Sequence, residues 1–362
     1  MINQYFWIDK IEGREKILMD KEKIAQYNAQ AMPDRGEDAA VMLKKTWQYK
    51  EGLMQVNNKR RNVQCLYDLI DFNHVENTMA RRGIVIRMTF MRNLPTFIKM
   101  RGKDSPFDVL QESALVPFET VTIHHTTGDR NWLYVQAGDV WGFVKSADIA
   151  LVDDENERKL CKNRLTVLSK KIMVGGRMVP MGSRIILSSK QSIRDKYIVK
   201  LPIRGKKGEL IWEYALLPKS GQMTEGLLPY TIENLVKQCF LWIGTPYEWG
   251  DGKNGIDCSS FVRYVFRSFG IDLPRNSGDI ANCPSKVDVG QDDKLANVQA
   301  GDLLHMPGHI AIYLGKNGQN PHMIHASYTL GKVGISSVYD HSSDGKKYIE
   351  LITGITRVAF DK

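Results

Sequence analysis

The spacing of apolar positions changes along this chain, and the changes mark out its parts. Residues 1–82 carry apolar side chains at helical spacing, with Asp20 placed to cap a helix through Ile24 and a further apolar run from Val63 to Phe72. From Arg81 the spacing shortens to alternation. Short β-prone runs are broken by turn residues, with Gly128-Asp129 and Gly138-Asp139 at hairpin positions. An acidic break from Asp153 to Glu157 precedes a second set of short strands, with turns at Gly175-Gly176 and Met181-Gly182. Residues 83–152 and 153–217 therefore read as two small β-barrels, alike in pattern but without a shared sequence repeat.

Beyond a linker at Leu217 to Gln222 the helical period returns, and 218–362 reads as one further domain. Thr231 is placed to cap a helix whose apolar face is Ile232, Leu235, Val236, Cys239, Phe240 and Ile243, ended by Gly244. Asp257 caps another, with Phe261, Val262, Val265, Phe266 and Phe269 as its stripe and Gly270 as its stop. Ile310, Ile312 and Leu314 then alternate with His309, Ala311 and Tyr313, and a turn at Lys316 to Pro321 returns the chain through Met323 to Ala326 as a β-hairpin. Helices, two barrels, then helices and a hairpin make an α+β protein.

At 362 residues with 43% hydrophobic content, the chain has material for several folded domains. Its net charge of +9 is spread over runs such as Lys59-Arg60-Arg61, Arg81-Arg82 and Arg204 to Lys207. Solvated faces are the favoured reading over a polyanion site; no nucleic-acid motif accompanies the charge, and an anionic polymer or peptide substrate would benefit from it equally. Cys65, Cys161, Cys239, Cys258 and Cys283 are odd in number and lack Cys-x-x-Cys spacing, which points to reduced thiols, with Cys239 a core residue. No stretch approaches the roughly 20 apolar residues of a membrane span, and no export signal opens the chain. As written, a cytoplasmic monomer is expected, or an envelope protein if a leader has been removed.

The chemistry collects in the last domain. Cys258 falls in the first turn of its helix, where backbone N–H groups and the helix dipole stabilise an anion. It is a candidate low-pKa nucleophile if a base lies near, and a buried structural cysteine otherwise. Alternation puts His309 on the face opposite Ile310, and the returning strand can set His325 beside it. In that scheme His309 deprotonates Cys258, and His325 fixes the tautomer of His309 from the other ring nitrogen, the logic of a thiol hydrolase. His305 and His322 are rivals by proximity in sequence. A histidine pair on a hairpin also suits a metal, but no third ligand has suitable spacing, so neither metal nor cofactor is expected.

Several ordered blocks closely resemble the signature blocks of NlpC-type cell-wall cysteine peptidases. They are Tyr247-Glu248-Trp249-Gly250, Asp257-Cys258-Ser259-Ser260-Phe261-Val262, Leu273-Pro274-Arg275, Gly301-Asp302-Leu303, Gly308 to Gly315, and Ile324-His325-Ala326. Arg92-Asn93-Leu94-Pro95 and Gly142-Phe143-Val144 resemble marks of bacterial SH3-type barrels, and the first segment resembles the stabilising domain of multidomain members. The resemblance implies a papain-like domain that hydrolyses the γ-D-glutamyl-diamino acid bond of murein peptides, with Cys258, His309 and His325 as nucleophile, base and third polar residue. It implies that the Tyr247 hydroxyl and the Cys258 N–H stabilise the oxyanion. It also places Asp257, Ser259, Arg275 and Ser277 along the substrate cleft, although Asp257 could simply cap the helix and Arg275 simply pair a surface carboxylate.

Three departures stand out. Asn276 replaces an Asp common in members that bind a free N-terminal amine. Val140 and Trp141 occupy the region where a Tyr of the first barrel closes the cleft, leaving Trp141 as a wall and Glu112 or Glu119 as amine partners. His309 and His325 are 16 residues apart, longer than usual in the family, which Asn317 to Pro321 can absorb as a longer turn. The functional reading is a cysteine endopeptidase of murein peptides with a free N-terminal L-Ala. Its alternatives are a related thiol acyltransferase or amidase on another wall substrate, and a non-catalytic wall-binding protein.

Overall fold

The computed structural model describes residues 3–33, 36–56, 60–77, 80–101, 106–156, 163–188, 193, 195–252, 254–290 and 293–360. Lys59, Glu157 and Cys161 lie outside the described residues. Two compact units emerge: one comprises residues 1–33, 166–170 and 226–362, the other residues 34–165 and 171–225.

In the second unit, alternation builds a sheet buried on both faces. Strands Arg81–Val85, Thr89–Arg92, Gln111–Leu115, Thr120–Thr126, Trp132–Ala137, Val140–Lys145 and Ile149–Val152 form a seven-stranded antiparallel sheet, ordered third, second, sixth, fifth, fourth, first, seventh. Leu133, Val135, Val140 and Val144 point to one side, into a core with Val85, Ile123 and Ile149. Trp132, Tyr134, Trp141 and Phe143 point to the other, against Leu43, Trp47 and Ile70 from helices Ala39–Val56 and Arg60–Ile70. A second, five-stranded sheet and a separate hairpin, Lys171–Val174 with Arg177–Pro180, follow in the chain.

The expected helical segment 1–82 divides at residues 33 and 34. Its first part belongs to the first unit and buries Trp7, Ile8, Met19, Ile24 and Tyr27. Asp20 caps helix Lys21–Ala31 by accepting from the Lys23 N–H at 2.9 Å. From that helix Tyr27, fully buried, meets the Phe360 ring at 5.8 Å. The Asn28 amide donates to the Gly270 carbonyl at 2.8 Å and accepts from the Asp272 N–H at 2.9 Å. Partners some 240 residues away cannot be read from local spacing.

The first unit is organised by a six-stranded antiparallel sheet in the order Lys286–Val287, Gly354–Thr356, Leu303–Met306, His309–Asn317, Asn320–Ser327, Lys332–Ser337. Helix Cys258–Arg267 lies against the His309 and Asn320 strands, burying Phe261, Val262, Val265 and Phe266 completely. Thr231 caps helix Ile232–Phe240 through the Asn234 N–H at 3.1 Å. That helix stops at Phe240, so Ile243 lies beyond its apolar face and is 43% exposed. The hairpin turn is tighter than expected. Asn317 pairs with Asn320 around Gly318-Gln319, and the length is taken up by longer strands with a bulge between Tyr313 and Gly315.

Truncating Phe266 to Ala removes a fully buried ring that packs on Tyr230 and Phe269. Denaturant titration should show a loss of about 3–5 kcal/mol of unfolding free energy.

Candidate active site

The loop before the Cys258 helix is held by one carboxylate. Asp257 Oδ1 accepts from the Ser260 N–H at 2.9 Å, the helix cap, and Asp257 Oδ2 accepts from the Gly250 N–H at 3.1 Å. The Arg275 guanidinium reaches the same carboxylate at 2.6 and 3.3 Å and donates to Ser259 Oγ at 2.8 Å, while Ser259 Oγ also donates to Asp257 at 3.2 Å. Asp257 and Arg275 are 5% and 3% exposed, so this pair is buried and Arg275 is no surface cation. Asp251 completes the cluster, with a positive φ of 58°, and accepts from the Ser260 hydroxyl at 2.5 Å. Burial favours the protonated form of both acids. For Asp257 the Arg275 charge and its hydrogen bonds outweigh burial and hold the carboxyl below its ordinary range. For Asp251 burial and the neighbouring Asp257 charge push the carboxyl up.

The cap leaves Cys258 as the first helical residue, its Sγ 4.0 Å from the Gly308 carbonyl oxygen. The surroundings of this thiol oppose the acidification expected of a helix start. Burial, and then the Asp257 charge, push it up to about 12, against the opposing N–H groups of Ile310 and Ser259. A helix terminus stabilises a thiolate by a few tenths to about 1 kcal/mol at exposed sites, less than the desolvation of a buried sulfur anion. Burial likewise pushes His309 down to about 4, so thiol and imidazole rest as a neutral pair at neutral pH.

The histidines meet as strand parity requires. Tyr313 pairs with Met323, so His309 and His325 share a face of the sheet, and His309 Nε2 lies 2.8 Å from His325 Nδ1. His325 is fully buried, and burial followed by the His309 charge lowers its pKa. His305 pairs with Ile310 on the opposite face, its Nε2 2.9 Å from Thr356 Oγ1. His322 lies against the Trp7 ring at 5.2 Å. Neither rival joins the pair.

Tyr247 enters as a short added edge. Its N–H donates to the Gly331 carbonyl at 2.9 Å, its ring meets Tyr328 edge-on at 5.9 Å, and burial followed by the nearby Cys258 keeps its hydroxyl protonated, a donor. A Cβ on Gly255 would lie 2.6 Å from the Pro246 carbonyl, so the loop that bridges Tyr247 to Ile256 requires glycine there. Asn276 is exposed, with its amide 3.3 Å from Asp279, and Ser277 begins the short helix Ser277–Ile280.

Trp141 and Glu112 belong to the other unit. The Trp141 indole N–H donates to Glu37 at 3.1 Å and its ring packs on His124 and Tyr134, leaving it 7% exposed. Glu112 accepts from Asn93 at 3.0 Å, and Glu119 from the Val116 N–H at 2.9 Å. Two groups at the histidine pair carried no signal in the sequence. Ser336 Oγ stands 3.1 Å from His325 Nε2, and the buried Tyr348 ring meets His325 edge-on at 5.3 Å. Among the described residues no cluster of three His, Cys, Asp or Glu could hold a metal ion, and no helix is long and apolar enough to cross a membrane.

Two measurements follow from this electrostatics. A neutral alkylating agent at pH 7 should modify the exposed Cys65 before the buried Cys258, and the Cys258 rate should climb far above pH 8, as peptide mapping reads directly. Arg275→Met should cost about 3–5 kcal/mol at pH 7 by leaving Asp257 buried and unpaired. The depressed Asp257 carboxyl contributes stability above its unfolded value near 4, lost as pH falls through the lower folded value, so the deficit of the variant should shrink on acidification.

Comparison with known proteins agrees with this architecture. The NlpC/P60 family model matches residues 244–350, and the model of an SH3 domain (SH3b1 type) matches residues 95–145. The peptidoglycan endopeptidase RipB of Mycobacterium tuberculosis is 35% identical over 125 residues, covering 30% of this chain and 48% of RipB, so the match spans about half of that relative. An NlpC/P60 endopeptidase from Photobacterium damselae subsp. piscicida shares the fold with a TM-score of 0.74 at 19% identity, over 92% of this chain and 90% of that one. An NlpC/P60 family protein from Bacillus cereus does so at 0.60 and 19%, over 77% of this chain and 100% of that one. The chain thus carries an NlpC/P60 domain over residues 244–350, with an SH3b1-type domain over residues 95–145 ahead of it, in a fold shared with solved NlpC/P60 proteins.

Proposed function

We propose that the protein is a cysteine peptidase that hydrolyses the bond between γ-D-glutamate and a diamino acid in murein peptides, with Cys258 as nucleophile, His309 as base, His325 as the group orienting it and Tyr247 as oxyanion donor. The observation that carries the reading is the 2.8 Å contact of His309 Nε2 with His325 Nδ1, on strands packed against the helix that begins at Cys258. It leaves His309 Nδ1 for the thiol. The kinship of residues 244–350 to peptidoglycan endopeptidases supports the substrate class.

Because thiol and imidazole are both neutral at rest, the proton moves as the bond forms. Sulfur attacks the γ-carbonyl carbon while His309 Nδ1 takes the thiol proton. The oxyanion accepts from the Tyr247 hydroxyl and the Cys258 N–H. Collapse breaks the C–N bond, and His309 returns the proton to the departing amine, leaving a thioester. Water then attacks the thioester with His309 again as base, releasing the glutamyl carboxylate and restoring the thiol. Arg275, Asp257 and Ser259 shape the pocket floor for the D-glutamyl residue, and Asn276 and Ser277 border it. A peptide with an unblocked L-Ala is the favoured substrate.

Mass spectrometry of L-Ala-γ-D-Glu-diaminopimelate, free and N-acetylated, tests this directly. Wild type should cut the free peptide at the γ-glutamyl bond, and Cys258→Ala should be slower by at least about a thousandfold. Cleavage of both forms would remove the free-amine preference. Cleavage by Cys258→Ala at the wild-type rate, or of neither peptide by wild type, would overturn the assignment.

A further inference from the structure

We infer that Ser336 is a positioning residue that supplies the acceptor needed for the hydrogen-bond chain behind the nucleophile to run in the direction that lets His309 act as a base. The inference rests on the reading of Cys258 and His309 as nucleophile and base. Ser336 lies on strand Lys332–Ser337, 4% exposed, with its Oγ 3.1 Å from Nε2 of the fully buried His325. The other ring nitrogen of His325, Nδ1, is 2.8 Å from His309 Nε2. His325 therefore spends both nitrogens on protein partners, away from water.

Neutral imidazole has one donor and one acceptor nitrogen, so the chain Ser336, His325, His309 can run in two directions. For His309 Nδ1 to take a proton, it must be bare, and the His309 hydrogen must sit on Nε2. That hydrogen is donated to His325 Nδ1, which forces the His325 hydrogen onto Nε2, where Ser336 Oγ is the acceptor within reach. In the reverse direction His325 Nδ1–H donates to His309 Nε2, and His309 presents an N–H to the thiol, unable to accept. The requirement tightens once His309 has taken the proton, because His309 Nε2 must then donate and His325 Nε2 must carry hydrogen. Without the hydroxyl, that state loses the acceptor His325 Nε2–H has among the described residues, and a buried N–H left unpaired is seldom tolerated. The neighbouring Ser337 cannot substitute, since it faces the other way and donates to Asn320 Oδ1 at 2.5 Å.

The test uses the whole chain and no peptide substrate. Imidazole nitrogen–proton correlation spectra of the 15N-labelled wild type should place the His325 hydrogen on Nε2. In Ser336→Ala the alkylation rate of Cys258 at pH 7 should fall by roughly 10- to 100-fold. Ser336→Thr, which keeps a hydroxyl, should recover most of the rate, a rescue that loss of packing would not give. A wild-type His325 protonated on Nδ1, or a Ser336→Ala protein as reactive as wild type, overturns the inference; the spectrum of the wild type decides it even if the alanine variant does not fold. A fall in thiol reactivity alongside no cleavage of the murein peptide by wild type would sink the proposed substrate and leave the role of Ser336 standing.

Discussion

The buried pair of Asp257 and Arg275 is the interaction on which the rest of the site depends. One carboxylate caps the helix at Ser260, holds the preceding loop at Gly250, accepts from Ser259 and receives two guanidinium bonds. Desolvating such a pair costs several kcal/mol per ion, which its mutual attraction offsets only because every lone pair of the acid is engaged. The return is positional: Cys258 follows the cap directly, so Asp257 fixes where the helix that carries it begins against the His309 strand.

Burial that makes the scaffold rigid also decides the chemistry of the resting state. Burial and the nearby Asp257 carboxylate favour the neutral thiol, and desolvation of the half-buried His309 ring favours the neutral imidazole. The charged state of such a pair is reached only when something stabilises both ends, an oxyanion or acyl group at sulfur and a chain of acceptors behind the imidazole. The site is thus poised for proton transfer coupled to bond formation rather than for a standing ion pair.

Elsewhere the same solvent logic produces a different outcome. In the first barrel, Trp132, Tyr134, Trp141 and Phe143 alternate with Leu133, Val135, Val140 and Val144, and both sets are buried because helices from residues 39–70 cover the aromatic side. An aromatic that the sequence presents as available to a ligand is in its own unit a packing residue with its indole N–H satisfied by Glu37.

What the chain determines by itself is local. The cap at Asp257, the stripe Phe261 to Phe269 and the parity of His309 and His325 follow from periods of 3.6 and 2 and from the chemistry of helix ends, and all are present in the fold. The seven-stranded sheet of residues 81–152 and the helix and hairpin around Cys258 and His309 are legible for the same reason, as changes of period. What only the tertiary structure decides is long-range. The division of the first helices between two units, the union of Asp251 and Arg275 beneath the cap, and the arrival of Ser336 and Tyr348 at the histidine pair depend on pairings between segments distant in sequence. The acidity of Cys258 belongs to this second class, because desolvation sums over every atom that excludes water, and no motif encodes that sum.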